Sequence, residues 1–224
     1  MIFLETAVFN YESAILAKKG GADRLEVCEN YSVGGLTPSF DYVRNVINTG
    51  GPDVFAMIRQ TAVSFEYSNE DMDKMLSDIE LFKSMGVNGF VFGGLDETKN
   101  VHKEFSRLII EAAIPLPVTF HRAFDLCKDL NKATEEVIDC GFKRILTSGG
   151  KNNAFEGRFV IRDLIKRYGR DIIIMPGGGI RKNNISEIID ITNAKEFHTA
   201  ALRENQNTSN PIIEFEDLVG IKNG

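Results

Sequence analysis

Short apolar runs with polar ends alternate along the chain with longer stretches in which apolar residues recur every three or four positions. Ile2–Val8 and Asp23–Cys28 read as strands, and Tyr11–Lys19 between them reads as an amphipathic helix closed by Gly20-Gly21. The unit then repeats. Val54–Arg59, Gly89–Leu95, Val118–Phe124, Arg144–Ser148, Ile172–Pro176 and Glu196–Ala200 predict six further strands, rich in β-branched and aromatic residues. The intervening helices run from Ser39, as N-cap, to Ile47, then over Asn69–Met85, Lys103–Ala113, Asp129–Cys140, Gly157–Tyr168 and Asn184–Ile191, with a last one over Ile213–Lys222. In Asn69–Met85 the residues Met72, Met75, Leu76, Ile79 and Phe82 fall on one helical face.

Eight strands alternating with helices predict an α/β fold of the single-domain (β/α)8 TIM barrel type spanning residues 1–224. A doubly wound open sheet is the alternative, and the lack of a strand with a polar edge favours closure. The stretch Pro115–Asp125 (P-L-P-V-T-F-H-R-A-F-D) begins as a strand and ends in polar residues. Alternation places Thr119, His121 and Ala123 on one face and Phe120 and Arg122 on the other, so His121 and Arg122 share a direction only if the strand ends between them.

Closure would gather the C-terminal ends of all eight strands on one face. Those ends carry Glu5, Glu26 with Cys28, Arg59, His121 with Arg122 and Asp125, Thr147-Ser148, and His198 with Thr199. No lysine is among them, which disfavours Schiff-base chemistry. Glu5, Glu26, His121, Asp125 and His198 are candidate acid/base groups, and Arg59, Arg122, Thr147 and Ser148 candidate contacts to an anion. The same residues can equally neutralise one another as a polar plug. The turns S-G-G (148–150) and P-G-G-G-I (176–180) place Gly149, Gly178 and Gly179 where barrels often bind phosphate through backbone N–H groups, although tight turns alone also call for glycine. Cys28 shares a strand face with Glu26, and a thiolate selects Cu(I), which makes it the candidate metal ligand; a small core residue is the other reading. Cys127 and Cys140 have no ligand spacing and read as structural.

Composition narrows the partners. In 224 residues, 43% hydrophobic and 26% charged residues suffice for a substantial core. A net charge of −6 without a basic block argues against nucleic acid and anionic membranes and for a small molecule or a protein. Three cysteines without C-x-x-C or Cys/His zinc spacing argue against a disulfide framework or structural zinc and fit a reduced, cytoplasmic setting. No leader-like start and no apolar run of about 18 residues is present, so export and membrane insertion are not expected.

Six segments carry a family likeness: G-A-D-R-L-E-V-C (21–28), G-G-L-T-P-S (34–39), residues 115–125, R-I-L-T-S-G-G (144–150), I-M-P-G-G-G-I (174–180) and E-F-H-T-A-A (196–201). With these motifs the chain resembles the CutC-type copper homeostasis proteins. The resemblance implies a (β/α)8 barrel, a cytoplasmic location, self-association as a homo-oligomer and copper handling, with no established reaction. It also implies a metal site of two cysteines at the ends of the first two strands; Cys28 matches the second, and Ala7 stands at the first. After strand three the family's Arg-Gly-Gly is replaced by Arg59 followed by Q-T-A-V-S, with Phe65, Tyr67 and Ser68 kept. Two functions are therefore expected: a copper ion bound through Cys28, or acid/base chemistry on a small anionic or phosphorylated metabolite at the C-terminal barrel face.

Overall fold

A side chain in a strand alternates between two environments, and every strand of this chain offers an apolar row to one side and a mixed row to the other. In the computed structural model, which describes residues 2–203 and 211–223, that alternation closes into a barrel. The elements are β1 (Phe3–Val8), α1 (Tyr11–Lys19), β2 (Arg24–Val27), α2 (Phe40–Asn48), β3 (Asp53–Met57), α3 (Asn69–Met85), β4 (Gly89–Phe92) and α4 (Lys103–Ala113). They continue with β5 (Val118–Phe120), α5 (Leu130–Cys140), β6 (Arg144–Thr147), α6 (Ala154–Tyr168), β7 (Ile173–Pro176), α7 (Ile185–Thr192), β8 (Glu196–Thr199) and α8 (Phe215–Lys222). Neighbouring strands pair in parallel in sequence order, and β8 pairs with β1. The ring is completed by a parallel bridge between Gly177 and His198, so the open-sheet alternative does not hold.

The outward row, including Leu4, Leu25, Val54, Phe90, Phe120, Ile145 and Phe197, packs with Ala17, Val43, Met75, Ile79 and Phe82 of the helices into one core. Phe82, Phe90, Phe92, Phe120, Phe124 and Phe197 are fully buried there, each contributing roughly 1.5–3 kcal/mol relative to exposure. The inward row holds a small apolar cluster of Cys28, Phe55, Met57 and Val91, with Phe9 packed on it. Buried charged groups fill much of the remaining interior: Glu5, Arg24, Glu26, Arg144 and His198.

Three local departures from the expected elements matter for the site. β5 ends at Phe120 because the His121 ring turns back: its Nδ1 accepts from the Ala123 amide at 3.2 Å and caps a 3-10 turn over Arg122–Leu126. His121 and Arg122 are thereby freed from strand alternation. Helix α6 starts three residues earlier than its apolar pattern suggests, because the Asn153 side chain caps it by accepting from Glu156 N at 2.9 Å. Ser39 holds the N-cap position of α2 without a side-chain cap bond; its amide instead donates to Glu29 Oε1 at 2.8 Å.

The earlier start places Gly157 inside α6, where a Cβ would overlap the Ser148 carbonyl oxygen, a backbone atom with nowhere to go. Gly157→Ala should therefore cost about 3 kcal/mol, the upper end of ordinary overpacking. Urea unfolding checks this, and an unchanged midpoint would show that α6 can retreat from the turn after β6.

Candidate functional site

Parallel register brings together inward residues two positions apart on each strand. Glu5 of β1 lies opposite Arg24 of β2 on one side and His198 of β8 on the other. The result is a column of alternating charge up the barrel axis. Arg144 Nε meets Glu196 Oε2 at 2.5 Å, Arg24 Nη2 meets the same oxygen at 2.8 Å, and Arg24 Nε meets Glu5 Oε2 at 2.5 Å. Glu5 Oε1 then bonds His198 Nδ1 at 2.7 Å, and His198 Nε2 lies 3.8 Å from Glu26 Oε2. The Cys28 thiol ends the column, donating to Glu26 Oε2 at 3.5 Å.

Arg24, Arg144 and Glu196 were not legible as site residues when only the C-terminal strand ends were read. The signal was present: Arg24 precedes Glu26, and Glu196 precedes His198, by two positions, which is the strand repeat.

The column sets the protonation states. Burial alone would raise the Glu5 pKa, but Arg24, the His198 bond and Arg144 outweigh it and hold the carboxyl at about 2. For Glu26 burial wins, helped by the nearby Glu5 charge and only partly opposed by His198, and its pKa rises to about 7. His198 is pushed down by burial and up by Glu26 and Glu5, with a net rise. Burial, then the neighbouring Glu26, push the Cys28 thiol well above its ordinary value. His121, buried and facing the Arg59 charge, falls to about 3 and is a neutral ring.

Above the column opens a cavity of about 260 Å³, lined by Glu26, Arg59, His121, Arg122, Gly178, Gly179 and His198 among the expected residues, with Ala7, Met57 and Phe65 beside them. Glu5 lies beneath this cavity, and Cys28 is covered by Gly35, where a Cβ would stand 3.3 Å from Sγ. Arg59 is mostly engaged in holding loops together: Nη1 donates to Val33 O at 2.7 Å and Gly35 O at 3.0 Å, Nη2 to Ala62 O at 3.3 Å, and Phe65 covers the guanidinium. Asp125, Thr147, Ser148 and Gly149 form a cluster of their own. The Asp125 carboxylate accepts from Thr147 Oγ1 (2.5 Å), Ser148 N (3.0 Å), Ser148 Oγ (2.9 Å), Gly150 N (3.0 Å) and Arg122 Nε (2.9 Å), and Gly149 N donates to Thr147 Oγ1. The turn expected to receive an outside anion thus already holds the protein's own carboxylate. Three buried polar atoms of the cavity residues have no partner among the described residues: Glu26 Oε1, His121 Nε2 and Arg59 Nε.

Residues 2–203 match the family model described as the CutC family. The chain belongs to the CutC family. It is 42% identical over 198 residues to the copper homeostasis protein cutC homolog of Homo sapiens, spanning 88% of this chain and 72% of that protein. It is 43% identical over 199 residues to a CutC family protein of Parabacteroides distasonis, spanning 88% and 82%. A crystal structure of CutC from Streptococcus agalactiae superposes with a TM-score of 0.84 at 29% identity, over 89% of this chain and 99% of that one. Phosphoribosylanthranilate isomerase of Thermotoga maritima shares the barrel alone, with a TM-score of 0.65 at 14% identity over 99% of this chain and 97% of that one. Among the described residues no helix of this CutC chain is long and apolar enough to cross a membrane.

Two outcomes follow from the column. Arg24→Met leaves the buried Glu5 carboxylate with His198 as its remaining contact partner, while Glu196 keeps Arg144, and should cost about 3 kcal/mol, with partial recovery when Glu5→Gln is added; denaturant unfolding of the two variants is the measurement. The pH profile is the second. From pH 6.5 down to 4.5 the unfolded chain takes up a proton at His121 while the folded chain already keeps one on Glu26, so these groups cancel. Below 4.5 the unfolded chain holds protons on both His121 and Glu5, which the folded chain resists until about 3 and about 2, so these two groups make stability fall with decreasing pH by roughly 3 kcal/mol per pH unit. His121→Phe should make that slope shallower in acid titrations followed by circular dichroism.

Proposed function

We propose that this CutC protein serves copper homeostasis by holding a copper ion, as Cu(I), at the base of the barrel mouth through His198 and Cys28, with Glu26 between them. The observation that carries the reading is the Glu5–His198 pair. Glu5 Oε1 takes His198 Nδ1, which leaves Nε2 directed toward Glu26, the carboxylate–histidine arrangement that orients metal-binding imidazoles. One ligand atom each from Glu5, Glu26 and His198 lies within 4.8 Å of the others, and Glu26 Oε1 is buried without a partner among the described residues. The donor set suits the ion: thiolate selects Cu(I), and imidazole is a good copper ligand. Three free, buried cysteines agree with a reducing cytoplasm.

Binding is coupled to protons. Without metal, His198 is held toward the imidazolium and Cys28 toward the thiol, so each must lose a proton to become a ligand. Affinity therefore rises with pH. Ala7 lies on the same cavity wall, in register with Glu26, and offers a methyl group where a second thiol would stand.

Anaerobic Cu(I) titration against a chromophoric competitor tests the reading. Glu5→Gln should weaken binding about 10–100-fold by releasing the imidazole, and Cys28→Ser should weaken it further. Ala7→Cys should tighten it. Equal affinities for the wild type and Cys28→Ser would remove the proposal.

A further inference from the structure

The loop after β2 turns back on itself. Glu29 N donates to Leu36 O at 3.1 Å and Leu36 N to Glu29 O at 2.8 Å, which closes a short stem. The base of that stem is fixed, because Thr37 N donates to Arg59 O at 2.9 Å and Arg59 N to Thr37 Oγ1 at 2.8 Å. The tip, residues 30–35, is held differently. Its backbone is left-handed at both ends, with φ +58° at Asn30, +82° at Gly34 and +94° at Gly35. The Val33, Gly34 and Gly35 amides bond back to carbonyls of Asn30 and Tyr31, inside the tip itself. Among the described residues the hydrogen bonds that cross from the tip to the barrel come from Arg59 Nη1, to Val33 O at 2.7 Å and Gly35 O at 3.0 Å. The Tyr31 ring adds an edge-on contact to Phe9 at 5.2 Å.

Beneath this tip lies the thiol. A Cβ on Gly35 would stand 3.3 Å from Cys28 Sγ and 3.6 Å from Met57 Cε, so the Gly35 backbone rests directly on the sulfur. Cys28 is 1% exposed and lies outside the lining of the 260 Å³ cavity, whereas Glu26 and His198 belong to that lining. The imidazole and the carboxyl can thus be met from the cavity, and the sulfur cannot while the tip is down. Lifting the tip breaks the two bonds to the guanidinium and one ring contact, and leaves the stem intact.

We infer that residues 30–35 form a flap over Cys28, latched by Arg59, and that a soft metal ion or other thiol-seeking electrophile reaches Sγ when the flap lifts. For the metal, the inference rests on the copper reading above and supplies its gate; for the thiol it stands by itself. Arg59 is a positioning residue here, acting through the carbonyls of the flap. Glycine is required at position 35 because a side chain would prop the flap against the sulfur.

The test is alkylation of the full chain, freed of metal with a chelator, by excess iodoacetamide, with Cys28, Cys127 and Cys140 followed separately by peptide mass spectrometry. Arg59→Met should speed labelling of Cys28 at least about tenfold, since two bonds from a charged donor are lost, and move the other two cysteines less than about twofold. The sign is diagnostic. The Arg59 charge favours the Cys28 thiolate, so an electrostatic role alone predicts slower labelling in that variant. Tyr31→Ala, at an exposed ring, should speed Cys28 labelling a few-fold and decides in its place if Arg59→Met does not fold. Anaerobic Cu(I) uptake followed by stopped flow should accelerate in parallel with labelling. Faster labelling with no Cu(I) uptake at all would remove the copper reading and leave the flap. Unchanged or slower labelling of Cys28, or equal acceleration of all three cysteines as in global opening, would overturn the flap.

Discussion

The pairing of Glu5 with Arg24 on one side and His198 on the other is the constraint on which the rest of the barrel interior depends. A carboxylate with no exposed surface is tolerable only when its charge is matched at contact distance, and two neighbouring strands supply the matches in register. Closure of the barrel and neutralisation of its axis are therefore one event. The strand that completes the ring, β8, brings both Glu196 and His198 into the column.

Because Glu5 is satisfied, the group above it is not. Glu26 sits at the top of the column, too buried to ionise freely and too far from Arg24 to share its charge fully, so it becomes the carboxyl with a raised pKa. His198 stands between the two carboxyls and is positioned by the lower one for the upper one. An imidazole and a carboxyl thus meet at the cavity floor, with the Cys28 thiol bonded to that carboxyl beneath Gly35.

Satisfaction of hydrogen bonds separates structural from available groups more sharply than residue type does. Asp125 looks like an acid/base residue in the sequence, yet five donors make it the internal anion of the turn after β6. Arg59 looks like a clamp, yet both of its Nη atoms serve backbone carbonyls. His121 is engaged on one nitrogen and free on the other, a distinction that composition and spacing do not express.

The eight-fold repeat, the outward apolar rows and the motifs of the CutC family are local properties of the sequence: period, turn residues and short segments read in order, and they determined the fold class and the family. The gathering of Glu26, Arg59, His121, Arg122, Gly178, Gly179 and His198 around one cavity follows from ring closure and was legible for that reason. Tertiary structure alone decided which of these retain free atoms, that the Ser148 and Gly150 amides are taken by Asp125, and that Arg24, Arg144 and Glu196 belong to the same network. Hydrogen bonds and ion pairs are made between side chains tens to nearly two hundred positions apart. Their occupancy depends on distances of a few tenths of an ångström, which strand pairing and side-chain packing set and residue spacing does not.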